Sequence, residues 1–145
     1  MAVTTFYYGL AFKSAFNKEI DLDSDALKVM LCTSAYTPNQ DTHQYKSSVT
    51  NEVVGTGYTA GGATLTGVTV TYTAGTNTLA IDAADVSWAS STITARYAVI
   101  YDGTPGTDAT RPLIACVDFG ADVPSSGGPF TITWDAAGIA TVVVS

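Results

Sequence analysis

From Thr66 onward the chain alternates between apolar and polar residues in short runs, "GVTVTYT", "NTLAIDA", "DVSWAS", "TITARYAVIYD", "PLIACVDFG", "FTITWD" and "GIATVVV". A period of two places successive side chains on opposite faces of a strand, so each run predicts a β-strand. The stretches "AGTN", "DGTPGTDATRP", "PSSGGP" and "DAAG" carry turn chemistry and are expected to separate them. In "FTITW", Phe130, Ile132 and Trp134 alternate with Thr131 and Thr133, which predicts a half-buried strand with the three large side chains inward. In "ITARYAVIY", Ile93, Ala95, Tyr97, Val99 and Tyr101 share one face, while Arg96 interrupts the other. The earlier run "ALKVMLCTS" is apolar on both faces, with Leu27, Val29 and Leu31 against Met30 and Cys32, and is expected to lie inside a sheet covered on both sides. The pattern predicts an all-β fold: one domain over residues 1–145, a jelly-roll-like β-sandwich of about eight strands.

The N-terminal residues follow a different period. Tyr8, Ala11, Phe12, Ala15 and Phe16 recur at helical spacing, with Lys13, Ser14, Asn17 and Lys18 elsewhere, so a short amphipathic helix is expected within residues 1–20. Its apolar face either closes the β core of its own domain or docks on a neighbouring subunit. "AYTPNQDTHQYKSSVTN" has no sustained period and reads as a long loop carrying Tyr36, His43 and Tyr45. It runs into "VVGTGYTAGGATL", where Gly55, Gly57 and Gly61 give G-x-G-x-x-x-G rather than the dinucleotide fingerprint. The Thr- and Val-rich sequence that follows offers no helix N-terminus to a phosphate. These glycines are expected to supply positive φ angles in an exposed turn or contact arm, with Tyr58 as an amphipathic anchor.

Composition narrows the function. Six basic residues against thirteen acidic give a formal charge of −7, which argues against a nucleic-acid partner. The start "MAVTTFYYGLAFKSAF" lacks the basic and apolar regions of a secretory signal, and no run approaches a membrane span, so synthesis and retention in a cytoplasm are expected. Cys32 and Cys116 each lie in an apolar run and are expected to be buried free thiols. His43 is the lone histidine, in a polar loop with no nucleophile elbow nearby, and reads as solvated. "DLDSD" opens like a calcium loop, but Ala26 and Cys32 stand where Gly and Glu are needed, so Asp21, Asp23 and Asp25 are expected to form a solvated turn. Asp82, Asp85, Asp118 and Asp135 could supply a carboxylate pair, yet nothing in the sequence brings any two together. No catalytic, cofactor-binding or metal-ligating residue is expected, and no enzyme.

The succession "LKVMLCTSAYTPNQDTHQY", "VVGTGYTAGGATL", "DAADVSWASSTITARYAVIYD", "PLIACVDFG" and "FTITWDAAGI" resembles a group of small virion proteins of tailed bacteriophages, over nearly the whole chain. Members of that group are described variously as head decoration or cement proteins, head fibres, or minor tail and tail-fibre proteins. The resemblance implies a structural protein of the virion, foremost a decoration protein on the outer surface of the capsid. Its implied partners are the major capsid protein and further copies of itself, a trimer being favoured. The alternative is a tail or head fibre protein that binds host-surface glycans or a receptor. Apolar or aromatic side chains on the helix and in the loops, Tyr8, Phe12, Phe16, Tyr36, Tyr45 and Tyr58, are the candidate contacts with capsid or subunit.

Overall fold

Two long strands carry the architecture. In the computed structural model, which describes residues 2–145, β6 (Val86–Asp102) and β7 (Leu113–Ile132) pair antiparallel from Val86 opposite Ile132 to Tyr101 opposite Leu113. Around them stand β1 (Thr4–Tyr7), α1 (Gly9–Phe16), β2 (Leu27–Cys32), a 3₁₀ turn at Lys46–Ser48, β3 (Ala63–Thr64), β4 (Thr69–Thr73), β5 (Thr78–Asp82) and β8 (Ala140–Val143). One sheet has five strands in the order β1-β7-β6-β2-β3, and the other has three in the order β4-β5-β8. The fold is all-β with a single helix, as the alternation predicts.

The elements differ from the expected ones in three ways. Each half of the β6–β7 hairpin reads in sequence as two strands, but each is continuous. "PSSGGP" is not a turn: Pro124, Ser125, Ser126 and Gly128 lie opposite Thr94, Ile93, Thr92 and Ser91. Beyond Asp118 the outer edge of β7 has no partner strand, because β1 pairs only with Ala115–Asp118, so Pro124 removes no ladder hydrogen bond on that side. Register shifts around Ser91 absorb the irregular pairing. Second, residues 4–7 are a strand rather than part of the helix. Phe6 and Tyr7 pair with Cys116 and Ala115, so the sheet begins within the segment expected to be helical. Third, Phe130 and Ile132 do point inward, but Trp134 lies past the end of β7 and is half-buried at the rim, its indole N–H donating to the Ala84 carbonyl at 3.0 Å.

Both faces of the five-stranded sheet are covered. Between the sheets, Leu27, Val29, Leu31, Ile93, Ala98, Ile100, Ala115 and Val117 pack with Ile81 and Ala140 of the second sheet and with Trp88, Phe130 and Ile132. On the opposite face Met30, Cys32, Val99, Tyr101, Leu113 and Cys116 pack against Tyr8 and Ala11 of the helical segment and Tyr36 of the long loop. β2 is therefore apolar on both sides for the reason its sequence suggests. Cys32 and Cys116 are buried and free. They sit on β2 and β7 with β6 between them, two strand spacings or roughly 10 Å apart, whereas a disulfide needs Cα atoms within about 7 Å. Burial pushes both thiols up to about 12.

At the end of β6 the ladder stops on a fully buried carboxyl. Asp102 accepts the Thr104 amide at 2.9 Å through Oδ1, while Oδ2 has no conventional donor and meets the Asp25 carboxyl. Burial, then the hydrogen bond with Asp25, raises its pKa from 3.8 to about 6. A proton held on Asp102 is the simplest way to let its buried oxygen face a second carboxyl. Between these two values the folded protein holds a proton that the unfolded chain has released. Stability accordingly falls as pH rises through that window, and the loss is complete above it. Asp102→Asn keeps the acceptor and supplies a permanent donor. Urea unfolding should find the variant roughly 2–3 kcal/mol more stable than the parent at pH 8, with the difference vanishing near pH 4. A parent whose stability rises from pH 4 to pH 8 while the variant tracks it would show that Asp102 is ionised.

Candidate interaction surface

The six candidate contact residues divide into an inner and an outer set. Tyr8 and Tyr36 are fully buried, their hydroxyls 2.9 Å apart. Tyr36 continues to His43 Nδ1 at 3.0 Å, and the Asn39 amide donates to the same nitrogen at 3.4 Å. With an N–H aimed at it, Nδ1 is an acceptor, so the Tyr36 hydroxyl donates to His43 and the Tyr8 hydroxyl donates to Tyr36. His43 is therefore not a solvated loop residue. It stacks on both tyrosines and is half-buried, and desolvation lowers its pKa. Burial raises the pKa of both tyrosines strongly, so the chain of hydroxyls stays neutral.

Tyr45 and Tyr58 are also turned inward. Tyr45 donates to Glu19 at 2.9 Å and accepts from Gln44, which in turn donates to Ser14. Ser14, on the polar side of the helix by sequence, is buried because it closes this network by donating to Glu19. Tyr58 accepts the Leu31 amide at 2.9 Å, donates to Glu52 at 2.8 Å, and rests its ring on Trp88. The expected exposed anchor is thus a clamp between the loop and β2.

The glycines around Tyr58 explain why. Gly57 and Gly62 have φ of +79° and +76°, and a Cβ at either would strike backbone: the Ser90 carbonyl from Gly57, the Val29 carbonyl from Gly62. At these glycines the stretch lies tight against β2 and β6, an approach that only a residue without a side chain permits, while Val54, ahead of them in the chain, stands 96% exposed. The expected contact arm is corrected to a seam of the fold.

The outer set is Phe12 and Phe16. With Tyr8, Ala11 and Ser14 of the helical segment turned inward, the helix buries a narrower stripe than its apolar residues suggest, and Phe12 is left 40% and Phe16 87% exposed. Lys13 and Lys18 are exposed beside them. The ion pairs among the described residues use Lys46 and Arg111 with Asp108, and Arg96 with Asp118, so neither of these lysines is paired. The outer face of α1 is aromatic and cationic on a chain of charge −7.

Below this face runs an apolar cleft of about 190 Å³, lined on the helix side by Ala11, Phe12 and Ala15 and on the sheet side by Val70, Leu79 and Ile81. It shares Ala15, Ile20, Leu22 and Val70 with a wider open depression along β4. Val70 and Tyr72 are opposite Ile81 and Leu79, and cross-strand partners share a face, so both point toward the core side of their sheet. They nevertheless remain 43% and 55% exposed because the core stops short of β4. The alternation in "VTVTY" signals their shared face; no local pattern signals that nothing covers it. Asp21, Asp23 and Asp25 form a turn, in which the Asp21 and Asp23 amides donate to Asp25 and Asp21; Asp21 and Asp23 are solvated as expected, but Asp25 is half-buried against Asp102. Among the described residues no group of three or more His, Cys, Asp or Glu is placed to hold a metal ion, and no helix is long and apolar enough to cross a membrane.

The seam gives a direct test. Gly62→Ala should lower the unfolding free energy by about 2 kcal/mol or more, through the positive φ and the collision with the Val29 carbonyl. Chemical denaturation measures it. An alanine variant as stable as the parent would return the stretch to the role of a loose arm.

Comparisons of the chain with protein-family models, with curated proteins and with solved structures each return no match.

Proposed function

We propose that the protein is a structural component of a bacteriophage virion, a decoration protein that binds the outer surface of the major capsid lattice as a small homo-oligomer and stabilises the head. The resemblance of the chain to small virion proteins of tailed phages supplies the class. The observation that carries the mode of attachment is the outer face of α1, where Phe12 and Phe16 stand exposed on a helix whose opposite side is locked into the domain.

A decoration protein works by adding contacts across a lattice rather than by chemistry at one site. Exposed aromatic rings on a rigid element suit this, because they gain apolar contact on docking and lose little conformational freedom. Lys13 and Lys18 beside them complement an acidic surface and steer its approach. Repetition of a modest contact over many neighbouring subunits raises the effective affinity well above that of one contact. The buried tyrosines hold the presenting helix in place from beneath.

The double substitution Phe12→Ser with Phe16→Ser should weaken attachment to heads lacking the protein by about tenfold or more, as expected for loss of a central anchor. Unfolding should shift by about 1–2 kcal/mol, nearly all of it from Phe12, whose ring packs on Tyr7, because Phe16 is exposed. Co-sedimentation with heads and thermal melting of the same samples measure both. A folded variant that saturates heads at the parental concentration would overturn attachment through this face.

A further inference from the structure

Among the described strands, β4 is an edge strand whose residues are all exposed. β3 is only two residues long. β1 and β8 face each other across a depression lined by Val3, Thr5, Ala137 and Thr141. The free half of β7 carries Pro124 and runs opposite the register shifts of β6, features that blunt an edge against pairing. β4 carries no proline, no charge and no register shift: its five residues, "TVTYT", are all exposed, and the segment that borders the depression beside them, Lys18–Asp23, forms no strand there.

Two further observations say what the edge fits. No charged residue occurs anywhere in residues 63–81, although the chain carries −7 overall, and the charges that line the depression beside Thr69–Thr71 are one basic and two acidic, Lys18, Asp21 and Asp23. Two copies of an acidic protein repel each other least where an uncharged strand meets its own image. The strand is also self-complementary. An antiparallel pairing centred on Thr71 sets Thr71 against itself on the outer face, and Val70 of each copy against Tyr72 of the other on the core-side face. A β-branched residue opposite an aromatic one is a favourable cross-strand pair. It would cover the two apolar side chains that the core of a single copy leaves half-exposed.

We propose that β4 pairs with β4 of a second copy, antiparallel about Thr71, joining the two three-stranded sheets into one across a two-fold axis. The contact is isologous and closes at a dimer. It differs from the trimer that the resemblance favours, which needs a heterologous contact. The inference stands apart from capsid attachment: a monomer would remove it and leave docking through α1 untouched.

Light scattering after size exclusion, over a concentration series of the full chain, should find a dimer. Because Thr71 faces itself, Thr71→Lys and Thr71→Glu should each raise the dimer dissociation constant about tenfold or more through like charges directly opposite. An equimolar mixture of the two should recover association as a heterodimer, with circular dichroism unchanged throughout. Thr71→Cys, which adds no charge, should form a disulfide-linked dimer under mild oxidation, while exposed Ser87→Cys should not. A parent that is monomeric or trimeric overturns the proposal. So does association that is indifferent to charge at position 71, or a Thr71→Cys protein that fails to cross-link.

Discussion

The ladder between β6 and β7 is the constraint to which the other elements answer. A hairpin of 17 and 20 residues exposes two faces, and its inner half is apolar on both. One sheet can cover only one of them. The β4-β5-β8 sheet covers the first, and the second requires something from outside the strand pattern: the start of α1 and the long loop, which bring Tyr8, Ala11 and Tyr36 over Met30, Val99 and Cys116. The tyrosine hydroxyls this cover buries are satisfied by one another and by His43, so burial leaves no uncompensated polar group at Tyr8 or Tyr36. β1, α1 and the irregular residues after β2 are thus parts of the core, not appendages.

Side-chain alternation alone makes the class of fold and the double-sided burial of β2 legible in the sequence. It fails where tertiary contacts override local chemistry. "PSSGGP" has the composition of a turn, yet as a strand it gains partners in β6 at Pro124, Ser125, Ser126 and Gly128. "TTFY" is too short to display a period, and only its pairing with β7 makes it a strand. The glycine-rich stretch is recognisable as a place where glycine is needed, but positive φ and close backbone approach look alike in sequence. The structure shows both at Gly57 and Gly62.

The candidate surface is half legible for a related reason. Periodicity identifies a helix with five apolar positions on one side, but a helix of eight residues over a flat sheet buries only a narrow stripe. Ser14 joins the buried side through its hydrogen bonds, and the two phenylalanines turn outward. In the tyrosines the amphipathic character that suggests an interface is used internally, each hydroxyl finding a partner within the domain. Val70 and Tyr72 show the converse: their alternation reads as a buried face, and the absence of cover becomes visible only when both sheets are in place.

The interior fixes the N-terminal segment from within, and the partner surface proposed above lies on the outside of α1 rather than on the glycine-rich loop. Amide hydrogen exchange on the free protein and on the same protein bound to heads tests it most directly. The account predicts that β1, β6, β7 and the Gly57–Gly62 seam are already protected in the free state and unchanged by binding, while new protection appears in Gly9–Phe16. Protection gained in the glycine-rich stretch, with α1 unaffected, would contradict it.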